Sequence, residues 1–289
     1  MPELPEVETV CRGLNLVTCK QQIFGGEVLL ERSIAFPLLS KEMIWQDLVT
    51  LSIHKWTRRG KYLIANLLDS EEEPSGSLVF HLRMTGQLLW LRQDSPISKH
   101  TRVRFFFGDF QELRFVDIRT FGKIWLVPKG KKPEDIVTGI QTLGVEPLLD
   151  QFTTDYLAQK FQNCKTKIKT LLLDQRVVAG VGNIYADEAL FESKIHPETS
   201  ALSLDQAQLE NLRKAVINVL QRGIENGGTT IKDFRSVSGI NGNYGGVAWV
   251  YGRAKSDCRI CGTLIEKIKL GGRSSHFCPY CQPKSLKIT

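Results

Sequence analysis

The sequence predicts an α+β protein of two lobes, an N-terminal helix with an antiparallel β-sandwich followed by a helical domain, with a small metal-bound β-hairpin at the C-terminus. Three observations carry this. Between about residues 22 and 127, short apolar runs alternate with Gly, Pro and Asp turn signals, the pattern of a sandwich or barrel. From residue 134 onward apolar residues recur at helical spacing instead. Near the end, Cys258 and Cys261, then Cys278 and Cys281, form two C-x₂-C pairs with sixteen residues between them, the spacing of a four-thiolate zinc site. A chain of 289 residues, 42% hydrophobic, is long enough for two domains and can bury real cores. No apolar run approaches the ~18 residues of a membrane span. The acidic start carries no signal-peptide core, so the cytoplasm is the expected location.

Taken in order, residues 1–17 read as a helix, with Pro5 in its first turn and Val7, Val10, Cys11 and Leu14 on one face. Eight strands are expected to follow, near 28–30, 48–53, 62–68, 78–82, 87–91, 102–107, 112–116 and 123–127. The acidic insert 69–76 reads as an exposed loop, and the Lys/Gly/Pro stretch 128–133 closes this domain. In the second domain a helix is expected over 184–192. A longer one should begin at a capping box in Ser203-Leu204-Asp205-Gln206 and stop at Gly227-Gly228. The expected boundaries are 1–133, 134–245 and 246–289.

Four stretches carry chemistry. Met1-Pro2-Glu3-Leu4-Pro5-Glu6-Val7-Glu8-Thr9 would expose a secondary amine at Pro2 once Met1 is removed, close to the carboxylates of Glu3, Glu6 and Glu8. An amine beside carboxylic acids can attack an electrophilic carbon and pass protons through a Schiff base. An α-amine titrates near ~8 against ~10.4 for lysine, so at pH 7 roughly a tenth of it is neutral without special tuning. The same stretch also reads as an ordinary helix start. The C-terminal 252–289 carries eight Lys or Arg against two acidic residues, a net +6 of the chain's +7, which suits a polyanion partner. A four-thiolate zinc site would lower this by about 2. Ala179-Gly180-Val181-Gly182-Asn183-Ile184-Tyr185 feeds a helix start whose free N–H groups suit a phosphate. Finally, His81-Leu82-Arg83-Met84-Thr85-Gly86 and Asp117-Ile118-Arg119-Thr120-Phe121-Gly122 place apolar side chains and an Arg beside turns, where they could fill a gap in a base stack. Met84 and Phe121 could equally be core residues, and Lys61 in the turn Arg59-Gly60-Lys61-Tyr62 a surface lysine.

In order and spacing these stretches, with Gly227–Asp233 and the four cysteines, resemble the bacterial formamidopyrimidine-DNA glycosylase family over essentially the whole chain. The resemblance implies a β-sandwich, a helix–two-turns–helix DNA-binding domain and a C-terminal zinc finger, with DNA held in the cleft between the lobes. It implies a bifunctional glycosylase and AP lyase that removes 8-oxoguanine and formamidopyrimidines from double-stranded DNA. It implies a monomer with one structural zinc on Cys258, Cys261, Cys278 and Cys281, no obligate protein partner, no membrane association, and a place in the cytoplasm at the nucleoid. Pro2 matches the nucleophile, Glu3 the residue that handles protons at the sugar, and Lys61 the lysine near the damaged nucleotide's phosphate, with Arg273 completing the catalytic set. Met84, Arg119 and Phe121 match the residues that fill the void left by the everted base, and His81, Lys165, Asn183 and Lys232 match DNA contacts.

Two departures stand out. Ile118-Arg119-Thr120-Phe121 lacks the second Arg usual in the family, and Arg83 replaces a Gly before Met84. Both are expected to tune affinity. The loop 236–248 is the family's variable part and leaves lesion choice open. The other readings are an endonuclease VIII-like glycosylase for oxidised pyrimidines and a zinc-containing lesion-binding protein without catalysis.

Overall fold

The computed structural model of the chain describes residues 1–36, 41–228 and 244–284. They form two compact units, one of Met1–Gln141 with Gly227 and Gly228, the other of Thr142–Asn226 with the described residues from Tyr244 on.

The first unit runs α1 (Leu4–Thr18), β1 (Gly25–Val28), a 3-10 turn (Glu31–Ser33), β2 (Ile34–Phe36), α2 (Lys41–Leu48), β3 (Ser52–Arg59), β4 (Tyr62–Leu68), β5 (Pro74–His81), β6 (Gly86–Arg92), β7 (Thr101–Phe106), β8 (Gln111–Asp117), β9 (Lys123–Val127), α3 (Pro133–Ile136) and α4 (Thr138–Gln141). One sheet has the order β2-β9-β5-β4-β3 and the other β1-β7-β8-β6. All pairings are antiparallel except the short β2–β9 contact. Phe80, Phe105 and Phe115 from both sheets meet in one core, and Val7, Val10, Cys11 and Leu14 dock α1 onto it. Each of those four is 5% exposed or less, so the helical spacing read from sequence is the burial face.

Three local expectations are corrected. The run at 48–53 is not one strand: Ile44 and Leu48 bury one face of α2, and Thr50 (φ 83) turns the chain before β3. Gly25-Gly26, one of the Gly turn signals ahead of the strand expected at 28–30, is itself β1. A Cβ at Gly26 would fall 2.1 Å from the Arg104 carbonyl and 2.3 Å from the Trp45 ring, so only glycine permits this pairing. The insert 69–76 tightens into a hairpin. Asp69 Oδ1 accepts the N–H groups of Glu71 and Glu73 at 3.1 and 3.0 Å, and β5 begins at Pro74.

The second unit contains α5 (Thr154–Phe161), α6 (Ile168–Leu173), α7 (Asn183–Glu192), a 3-10 turn (Ala201–Ser203), α8 (Gln206–Glu225), α9 (Tyr244–Val247), and the hairpin β10 (Glu266–Leu270) and β11 (Arg273–Phe277). Helix α7 is buried along almost its whole length and packs against α6, α8 and β11. The capping box of α8 is Asp205 with Gln208, not Ser203 with Gln206. Ser203 ends the 3-10 turn, and Asp205 Oδ1 accepts the Gln208 N–H at 2.8 Å. The helix ends at Glu225, before Gly227 (φ 70) and Gly228 (φ 82). Among the described residues no helix is long and apolar enough to cross a membrane.

Candidate active site

Helix α1 begins at Leu4 with Glu3 as its N-cap, so Pro2 and Glu3 lie at its mouth, both buried. The three N-terminal carboxylates divide. Glu6 Oε2 accepts the Glu3 backbone N–H at 2.8 Å, and Glu6, fully buried, lies against Gly228, where a Cβ would fall 2.9 Å from its Cγ. Glu8 pairs with Arg12 at 2.8 Å and Arg58 at 3.0 Å. Burial raises its pKa, but the hydrogen bonds from Arg12 and Arg58 outweigh this and leave it lowered. Glu6 therefore fixes the helix start and Glu8 ties α1 to β3, while the Glu3 carboxyl, beside Pro2, takes its own part in the capping box of α1. Arg58 also donates to the Gly60 carbonyl at 3.0 Å. The same ion pair thus anchors the β3–β4 turn, in which Gly60 takes φ 55 and Lys61 follows. Lys61 is 6% exposed, so it is no surface lysine.

The second group occupies two turns that cross from one sheet to the other. The β5–β6 turn carries Met84, and the β8–β9 turn carries Arg119 and Phe121. Phe121 is 51% exposed and Arg119 is exposed, the guanidinium lying 4.9 Å from the Phe121 ring centroid. The core reading of Phe121 is thereby excluded; Met84 is half-buried. Their backbone is held by Asp117, whose Oδ1 accepts from the Thr85 hydroxyl at 2.5 Å and whose Oδ2 accepts the Gly122 N–H at 2.7 Å. His81, the last residue of β5, is buried, with its ring edge-on to Tyr62. Burial, with the nearby charges of Arg83 and Lys61, pushes its pKa from 6.5 down to about 3. The Arg83 N–H donates to Nδ1 at 3.0 Å, so a neutral imidazole carries its proton on Nε2 and presents it as a donor.

In the second unit, Asn183 opens α7 behind Gly182, and its Oδ1 is buried with no hydrogen-bond partner among the described residues. Gln175 shapes the turn before it, accepting the Gly180 N–H at 2.9 Å and donating to the Val181 carbonyl at 2.7 Å. Arg273 is exposed and opens β11 directly after the Gly271-Gly272 tip. Lys165 is exposed in the loop before α6. Lys232 lies outside the described residues, as does most of the 236–248 loop.

Helix α7 and the hairpin are joined by a buried ionic cluster. Lys169 Nζ lies 2.6 Å from Asp187 Oδ1 and donates to the Ser274 carbonyl at 2.6 Å. Asp187 Oδ2 accepts the His276 N–H at 2.9 Å. One residue further, Glu188 accepts the backbone N–H groups of Trp249, Val250 and Tyr251 at 2.8, 2.9 and 2.9 Å. Burial pushes the Glu188 pKa up against the pull of those three donors. None of Gln175, Lys169, Asp187 or Glu188 was singled out from sequence. The available signal was a lone Lys in the apolar run 168–173 and an acidic pair inside the apolar stretch 184–191.

The four cysteine sulfurs lie within 4.8 Å of one another, with separations of 3.5 Å for Cys261–Cys278 and 3.9 Å for Cys258–Cys281. Disulfides need ~2 Å. Tetrahedral zinc with ~2.3 Å bonds to sulfur needs sulfurs about 3.8 Å apart. The cluster therefore fits one structural zinc ion. Buried Gln282 ties it to the helical domain by accepting the Cys278 N–H at 3.0 Å and donating to the Ile195 carbonyl at 2.8 Å.

Comparison with known proteins gives three family matches. Residues 1–124 match the formamidopyrimidine-DNA glycosylase N-terminal domain, 143–235 the formamidopyrimidine-DNA glycosylase H2TH domain, and 257–284 a zinc finger found in FPG and IleRS. The chain is 57% identical over 282 residues to a formamidopyrimidine-DNA glycosylase of Rippkaea orientalis, covering 98% of this chain and 100% of the relative. It is 59% identical over 287 residues to that of Crocosphaera subtropica, covering 99% and 100%. Among solved structures it resembles the Lactococcus lactis FPG in complex with a Fapy-dG-containing DNA (TM-score 0.87, 35% identity) and the same enzyme with an abasic-site-containing DNA (TM-score 0.88, 34% identity). Each covers 98% of this chain and 100% of the other.

Proposed function

Since this chain belongs to the formamidopyrimidine-DNA glycosylase family, we propose that Pro2 is the nucleophile with which it excises oxidised purines from duplex DNA and then cleaves the strand. The protein is a DNA glycosylase of base excision repair, and AP lyase activity is typical of its family. Relatives of the same fold hold a Fapy-dG lesion and an abasic site, the substrate and the intermediate of such a sequence.

With Met1 removed, the Pro2 nitrogen attacks C1′ of the damaged nucleotide. The glycosidic bond breaks and the base leaves with the proton that the amine gives up; the C1′–O4′ bond then opens, O4′ taking a proton from Glu3, and an iminium remains. That iminium acidifies C2′, so loss of its proton expels the 3′ phosphate, and a second elimination expels the 5′ phosphate. Glu3 passes protons at the sugar. Lys61, held by the Glu8–Arg58 anchor, neutralises the phosphate of the damaged nucleotide. The neutral His81 donates from Nε2 to the backbone. On the second unit Asn183, Lys165 and Arg273 hold phosphates; Lys232, outside the described residues, is assigned a contact near the everted base. Zinc supplies no chemistry to the reaction; it fixes the hairpin that carries Arg273.

The observation that carries this reading is the exposed Arg119–Phe121 pair on the same unit as the buried Pro2-Glu3 start. A base must leave the stack before C1′ is accessible, at a cost of a few kcal/mol. Exposed Phe121 and Met84 can restore stacking while Arg119 pairs with the orphaned base. We infer from action on DNA a place in the cytoplasm, at the nucleoid. The test is competing single-turnover cleavage of duplexes carrying 8-oxoguanine or thymine glycol. Faster removal of 8-oxoguanine is expected; faster removal of thymine glycol would refute the substrate assignment.

A further inference from the structure

The two turns that carry Met84, Arg119 and Phe121 leave the sandwich side by side. In one sheet His81 pairs with Lys123; in the other Gly86 pairs with Asp117. Each turn therefore starts and ends directly opposite the other. Beyond those pairs the ladders stop, and the turn N–H groups need other partners. Asp117, 1% exposed, supplies them. Its Oδ1 accepts the Arg119 N–H at 3.2 Å as well as the Thr85 hydroxyl at 2.5 Å, and its Oδ2 accepts the Gly122 N–H at 2.7 Å. The Thr85 oxygen in turn accepts the Arg119 N–H at 3.0 Å. Thr85 belongs to the first turn, and Arg119 and Gly122 to the second, so one buried hydroxyl and one buried carboxylate join both.

The backbone around this link is strained. Arg83 has φ 53 and Thr120 φ 59, the latter a β-branched residue in the left-handed region. Such conformations persist where their surroundings over-determine them. Here Arg32 Nη2 donates to the Thr120 hydroxyl at 2.7 Å from outside, and Arg102 Nε donates to the Asp117 carbonyl at 2.8 Å. A Cβ at Gly122 would fall 2.5 Å from the Phe115 ring and 3.1 Å from the Asp117 carboxylate, so the second turn packs directly onto the link. Neither Thr85 nor Asp117 has a part in the chemistry proposed above.

We propose that Thr85 is a positioning residue which, through Asp117, makes the two turns one rigid wedge, so that Met84, Arg119 and Phe121 enter the duplex together. The proposal rests on the functional reading above. Three side chains on independent turns would each have to be ordered as the base leaves; a shared buried link completes that ordering when the protein folds. The wedge then matters most where a stacked base must be expelled, and least at an abasic site, where no base resists eversion.

The test compares the full-length protein with Thr85→Val, which keeps the shape and removes the hydroxyl, and Thr85→Ser, which restores it. Single-turnover excision of 8-oxoguanine from a duplex is read beside cleavage of a preformed abasic duplex. Thr85→Val is expected to slow excision about tenfold, the size of one lost hydrogen bond to a charged group. Abasic cleavage should change by less than about twofold, and Thr85→Ser should restore excision to within about threefold. Excision by Thr85→Val at the wild-type rate, equal loss of both activities, or failure of Thr85→Ser to rescue would each overturn the proposal. A wild-type protein that cleaves neither duplex would instead overturn the functional reading on which it rests.

Discussion

At the scale of single residues, the acidic start of the chain carries more structure than chemistry. Glu6 is consumed by the Glu3 N–H, and Glu8 by Arg12 and Arg58. The carboxyl beside Pro2 is that of Glu3, which also closes the capping box of α1. His81 shows the same economy, being held neutral by burial so that it can donate from one defined nitrogen. That has a pH signature. The unfolded imidazole titrates near 6.5 and the folded one near 3. Between these values the unfolded chain takes up a proton that the folded chain refuses, so stability falls as pH is lowered from 6.5 toward 3. A His81→Gln variant should lose less stability than wild type between pH 7 and 5, read as urea midpoints. Parallel losses would show that His81 is not buried neutral.

At the scale of elements, the seam between α7 and β11 carries the precision of the second unit. The charged atoms of Lys169 and Asp187 are almost wholly withdrawn from water, and Lys169 also grips the carbonyl next to Arg273. Removing one partner of a buried pair leaves the other uncompensated, at about 3–5 kcal/mol. Lys169→Met should therefore lower the unfolding midpoint clearly while the zinc content stays at wild type. An unchanged midpoint would mean that Asp187 is satisfied by His276 alone. This seam is where sequence reading ran out. The inner face of α1, the strands β4 and β9 and the cysteine knuckles follow from periodicity and spacing, which are local properties. A Lys that meets an Asp 18 residues on, or a Thr that meets an Asp 32 residues on, is fixed by topology. Gly26 misled for a related reason: a glycine required by close backbone approach looks the same in sequence as one required by a turn.

At the scale of the whole molecule, the chain divides between a β-sandwich unit, to which the proposed amine nucleophile and wedge belong, and a helical unit with the proposed phosphate contacts and the zinc hairpin. Each part has its own expected failure. Cys278→Ser should lose zinc, measured by metal analysis, and with it DNA affinity, because the hairpin is folded around the metal. DNA binding that survives metal loss would make the hairpin dispensable. Arg273→Ala, with zinc retained, should weaken binding to all duplexes alike and lower the salt slope by about one unit. In the proposed reaction the Pro2 amine forms the covalent intermediate. Borohydride reduction during reaction with an 8-oxoguanine duplex, followed by peptide mapping of the trapped protein, tests it most directly. A single adduct on the N-terminal peptide at Pro2, abolished by an uncleaved N-terminal tag, is the expected result; an adduct on Lys61, or full trapping with the tag in place, would contradict it.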